Sequence, residues 1–155
     1  MGLDQYLYAS HYASPMDWRG EEAKQTFHNV IEAVKAEHFV DDELPSVEVS
    51  VKVGYWRKSN AVHDWFVRTI QSGEDDCRKY YVDRDSLRHL RDLCTQVIDD
   101  NSLAEELLPT SAGFFFGSTD YDQYYFGDLM FTVSLIDKVL EYVPVSWDFY
   151  YQSSW

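Results

Sequence analysis

Arg57 and Lys58 stand side by side behind two aromatics, Tyr55 and Trp56, and just ahead of Asn60 and His63. Arginine offers a planar fork of donors to phosphate or carboxylate, and lysine adds a point charge. Tyr55 and Trp56 are flat enough to stack on a base. If a helix begins at this point, its unpaired N–H groups and positive end favour an anion as well. The chemistry implied is capture of a small anionic ligand such as a nucleotide. The alternative is a solvated turn in which Trp56 covers a sheet and Arg57 pairs with an acid. A second stretch, Ser118-Thr119-Asp120-Tyr121-Asp122 behind Gly117, offers hydroxyls at another helix start. It converges on Arg57 if the strands leading into both stretches end on the same side. Plain N-capping explains it equally well.

The elements that must position these residues follow from periodicity. Residues 46–56 alternate without a break, with Val47, Val49, Val51, Val53 and Tyr55 on one face and Glu48, Ser50, Lys52 and Trp56 on the other. That pattern predicts a half-buried strand with the valines inward. Ala61, Val62, Trp65, Phe66 and Ile70 then recur at helical spacing, predicting a helix over about 60–71 capped by Ser59 or Asn60 and stopped at Gly73. Further strands are expected at 3–9, 78–82, 111–118 and 147–155. Helices are expected near 20–37, after Asp83 through Val97, over 102–108, and from Ser118 or Thr119 through Leu140. The clean polar face of 46–56 argues against a parallel sheet covered on both sides. The expected architecture is a single α+β domain over 1–155, with a mixed sheet of about five strands and about four helices mainly on one face. Cys94 lies on the apolar stripe Leu87, Leu90, Leu93, Val97 and reads as core.

Charge narrows the partners. The chain carries a net charge of −14, which opposes binding to the outside of nucleic acid or to an anionic membrane. Residues 52–91 hold nine of the thirteen Lys and Arg against six acids, so a mildly basic island sits on an acidic body. No stretch reads as a leader or a membrane span, and two isolated cysteines read as reduced thiols of a cytoplasmic protein.

Catalytic motifs are missing. There is no Walker A loop, GxSxG, HExxH or paired-Cys pattern. His63 and Asp64 are neighbours on a helix and point apart. Glu74-Asp75-Asp76 is a metal-binding run or simply a solvated one, and Cys77 lacks a sequence-near histidine that would make it a nucleophile. No cofactor or metal is expected.

The segments GLDQYLY (2–8), GYWRKSNAVHDWFV (54–67), LLPTSAGFFFGSTDYDQYYF (107–126) and WDFYYQSSW (147–155) together resemble a family of small acidic proteins encoded by bacteriophages and prophages. The likeness spans nearly the whole chain and is weakest over 12–45, which reads as a variable insert. It carries no catalytic residues. It implies an accessory protein of the host cytoplasm that modulates host functions. Two roles compete: a binder of a small anionic ligand such as a nucleotide signal of host defence, and an acidic nucleic-acid mimic that occupies a host protein. A small enzyme is a third. The aromatic C-terminal run 150–155 is expected to be docked, on its own sheet or across a homodimer.

Overall fold

The computed structural model describes residues 2–16, 18 and 20–155. Its elements run β1 (Asp4–Ala13), α1 (Glu21–Val34), β2 (Val47–Arg57), α2 (Asn60–Thr69), β3 (Tyr80–Val82), α3 (Arg84–Asp99), a 3-10 turn (Asn101–Leu103), α4 (Ala104–Leu107), α5 (Gln123–Tyr142) and β4 (Asp148–Ser154). The fold is α+β. Its sheet is antiparallel rather than mixed, with four strands in the order β2-β1-β4-β3. The last strand therefore lies inside the sheet, paired with β3 at Tyr80↔Tyr151 and Val82↔Phe149. Tyr151 is fully buried, so the aromatic C-terminal run is docked on its own sheet.

Contacts divide the chain into two compact units, one of Lys52–Trp155 with the first nine residues, the other Ser10–Val51. The second unit contains the stretch 12–45. Its small core gathers Ala13, Phe27, Ile31 and Ala36, with Val40 and Val47 packed against them. In the larger unit, Leu7, Ala9, Trp56, Val82, Phe149 and Tyr151 from the strands meet Phe66, Leu87, Leu90, Leu129 and Ile136 from α2, α3 and α5. Cys94 joins this core, and burial pushes its thiol up to about 12, which leaves it inert as a nucleophile. The other strand face carries tyrosines under lysines: Lys52 Nζ lies 4.3 Å from the Tyr6 ring centre and Lys79 Nζ 4.6 Å from that of Tyr8.

The expected inward face of β2 is corrected in part: Val47 and Val53 pack against the cores of their units. Tyr55 and Val51 are exposed, while Gly54 and Trp56 are buried. In the larger unit a Cβ on Gly54 would stand 3.1 Å from Leu7 Cβ and 2.7 Å from Leu135 Cδ2, so α5 crosses β2 where a side chain is missing. In the smaller unit Ser10 Oγ donates to Ser50 Oγ at 3.0 Å and Val47 packs beside Ala13. Val51 itself is exposed. Val51→Asp is accordingly expected to shift stability by less than about 0.5 kcal/mol, against about 3–5 kcal/mol for Trp56→Ala, both read from urea midpoints.

The expected strand over 111–118 is also corrected. Gly113 and Phe116 close a turn, with the Phe116 N–H donating to the Gly113 carbonyl at 3.2 Å. A Cβ on Gly113 would lie 2.5 Å from the Phe116 ring, so only glycine fits there. The helix expected from Ser118 or Thr119 starts later. Asp122 is the cap, accepting from the Tyr124 and Tyr125 N–H groups.

Candidate functional site

The junction of β2 and α2 opens onto a cavity of about 320 Å³. Arg57 and Lys58 come from the strand end, Ser59, Asn60 and Ala61 from the helix start, Gly117 and Ser118 from the following loop, and Tyr124, Tyr125 and Asp128 from α5. Lys58 is left-handed (φ 60°), and this bend turns the chain from strand into helix. Four of the residues singled out by sequence, Arg57, Lys58, Asn60 and Ser118, therefore line one space.

The others lie elsewhere. Trp56 cannot stack on a ligand, because its ring is 2 % exposed and its Nε1–H donates to Thr132 Oγ1 at 2.9 Å. Tyr55 is exposed and its hydroxyl donates to Asp4 Oδ1 at 2.5 Å, a bond that raises the pKa of the phenol. Thr119 is exposed and its carbonyl accepts from Thr110 Oγ1. His63 is buried and does not line this cavity.

Asn60 has a positional task. Its Nδ2 donates to the carbonyls of Phe116 (3.1 Å) and Ser118 (2.7 Å), and its Oδ1 accepts from the Ser111 N–H (3.1 Å). One side chain thus closes the loop 111–118 onto the start of α2, supplying partners that a sheet ladder does not. Ser59 stands at the cap position without bonding the helix backbone. Its hydroxyl goes to Asp128, whose carboxyl is pushed up by burial and held back by that bond.

The electrostatics are mixed. Asp120, Asp122 and Asp128 line the same cavity as Arg57 and Lys58. Asp120 and Asp122 belong to the second stretch singled out by sequence; Asp128 was missed, although it stands as the one charge within the run 124–136. Among the described residues, Arg68, Arg78, Arg88 and Arg91 each pair with a carboxylate and Arg84 donates to the carbonyls of Val143 and Pro144. Arg57 has neither kind of partner, and its guanidinium reaches only the Tyr55 hydroxyl.

A second polar cluster lies behind this site. His63, 1 % exposed, places Nδ1 2.8 Å from the Tyr151 hydroxyl and Nε2 3.0 Å from Asp75 Oδ2. The Tyr151 hydroxyl also donates to Gln5 Oε1 at 3.2 Å, and Gln5 Nε2 donates to the Ser59 carbonyl. Burial raises the phenol of Tyr151 well above its ordinary pKa, so it stays a neutral donor. Asp75 Oδ1 accepts from Trp155 Nε1 at 3.1 Å. With both ring nitrogens engaged, His63 is not a free general base for nearby Ser111. The acidic run 74–76 is likewise consumed, since Glu74 and Asp76 pair with Arg78. Among the described residues no cluster of His, Cys, Asp or Glu is arranged to hold a metal ion, and no helix is long and apolar enough to cross a membrane.

What these groups can do rests on their own geometry, because no family model, curated protein or solved structure matches the chain.

Proposed function

We propose that the protein is a non-enzymatic binder of a small ligand with one anionic end, a nucleotide in the first instance, seated in the Arg57–Lys58 cavity. The observation that supports this reading is the donor fork of Arg57, paired with no carboxylate among the described residues, at a cavity bounded by the start of α2. A phosphate meets Arg57 and Lys58 there. Sugar hydroxyls or base amino groups donate toward Asp120, Asp122 and Asp128, and the exposed ring of Tyr124 offers a stacking face. The carboxylates select against a bare anion and for a ligand that also donates hydrogen bonds. In the phage setting that the sequence resemblance implies, such a binder withdraws a nucleotide signal from the host.

The test is calorimetric titration of mono-, di- and cyclic nucleotides into wild type and Arg57→Ala. A charge-assisted hydrogen bond contributes about 1.5–3 kcal/mol, so Arg57→Ala is expected to weaken binding about 10- to 100-fold. Lys58→Ala is expected to cost less. Binding no tighter than millimolar, or indifference to Arg57, removes this reading. The acidic mimic would then lead. It draws on the exposed carboxylates Asp99, Asp100, Glu105 and Glu106 around the 3-10 turn and α4, and it requires that reversing those charges abolish capture of a host protein.

A further inference from the structure

On the other side of the loop 111–118 lies a cavity of about 420 Å³ with different chemistry. Its walls include His63, Phe114, Phe115, Phe116 and Trp155; among the described residues Asp64 and Asp75 are its acids, and no lysine or arginine lines it. The aromatic walls are held in place. Phe116 meets Trp155 edge-on at 6.0 Å between centroids, and Phe114 meets Phe115 edge-on at 4.6 Å. Trp155 is tied by its Nε1–H to Asp75, and the Leu3 N–H donates to the Phe115 carbonyl at 3.2 Å. Phe114 is 93 % exposed, a costly placement for a large apolar ring unless something covers it.

We infer that this cavity binds a small organic cation, an alkylated or quaternary ammonium, held by the aromatic walls and the Asp75 carboxylate. The walls are apolar, which suits alkyl groups. The aromatic faces carry negative quadrupole potential, which favours a positive charge over a neutral group of the same shape. Asp75 adds the same sign of field from between His63 and Trp155, while Asp64 is held by Arg68 and offsets that cation beside the cavity. Among the described residues no lysine or arginine faces it to hold an anion, and no cluster of metal ligands is formed. The two cavities share the loop but none of their lining residues, so this inference stands apart from the nucleotide reading.

The test pairs a cation with its uncharged isostere. Choline and benzyltrimethylammonium, with 3,3-dimethylbutanol as the neutral match for choline, are titrated into the full chain by calorimetry or ligand-observed NMR. The expected result is saturable binding of both cations and at least tenfold weaker binding of the alcohol. Phe114→Leu keeps apolar area and removes the π face. Because Phe114 is exposed, the variant is expected to keep the wild-type melting temperature and to bind cations three- to tenfold more weakly. Asp75→Asn is expected to weaken cations and leave the alcohol unchanged, whereas Arg57→Ala is expected to leave both unchanged. Equal binding of choline and the alcohol, no binding of either cation at tens of millimolar, or full affinity in Phe114→Leu overturns the inference.

Discussion

Tyr151→Phe is expected to lower stability by about 2–5 kcal/mol, although it removes a single oxygen. The ring itself stays: it stacks on Phe66 at 3.8 Å with an interplanar angle of 8°, and phenylalanine keeps that contact. What is lost is the only hydroxyl between His63 Nδ1 and Gln5 Oε1, both on residues that are essentially solvent-free. Each buried polar group left without a partner costs about 1–3 kcal/mol, and two are orphaned together. With a urea slope of about 1–3 kcal/mol/M, the midpoint moves down by about 0.7 M or more. Tyr81→Phe, on the exposed face of edge strand β3, is the control, expected within about 0.5 kcal/mol of wild type. An unchanged midpoint for Tyr151→Phe would mean that the hydroxyl is not holding the two groups.

Asn60 carries the second large effect. Asn60→Ala removes three hydrogen bonds at once and is expected to cost about 2–4 kcal/mol. Its signature is local. Amide exchange should accelerate across 111–118, most clearly at Ser111, while α3 keeps its protection until global unfolding. Asn60→Asp discriminates further. The carboxylate still accepts from the Ser111 N–H but faces the carbonyl oxygens of Phe116 and Ser118, so it is expected to be worse than alanine despite its closer shape. If aspartate is tolerated better than alanine, the amide donors are not what closes the loop.

These residues show why some of the molecule was legible in sequence and some was not. Helices α2 and α3 and their buried stripes follow from apolar spacing, because tertiary packing selects the face that periodicity already marks. Strand β2 was legible in extent and partly misleading in face. Alternation is a local signal, and which residues of the strand are covered depends on what packs on it: Gly54 lies under Leu135 of α5. The 111–118 run is apolar and bounded by glycines, a pattern shared by a buried strand and a packed loop. Its outcome was decided by Asn60, fifty residues upstream. The junction 57–60 was visible as a place where cations meet a helix start. That Trp56 turns inward, and that Asp128 of α5 faces the same cavity, required the third dimension. The His63 cluster left one trace: Gln5 is a polar residue on the inward face of β1, between Leu3 and Leu7, and such a residue needs partners.

The interior position of β4 has a consequence for the order in which the molecule comes into being. Synthesis proceeds from the amino end, so β1 and β3 leave the ribosome before the strand that joins them exists. Until residues 148–154 emerge, both present unpaired edges, and the Phe66 ring lacks Tyr151. Bringing β4 back to β1 closes a loop of well over a hundred residues, the kind of contact that slows folding. The nascent chain therefore passes through a stage with open strand edges, the species most prone to aggregate. Production by slower translation at lower temperature should raise soluble yield by shortening the time those edges spend among like chains.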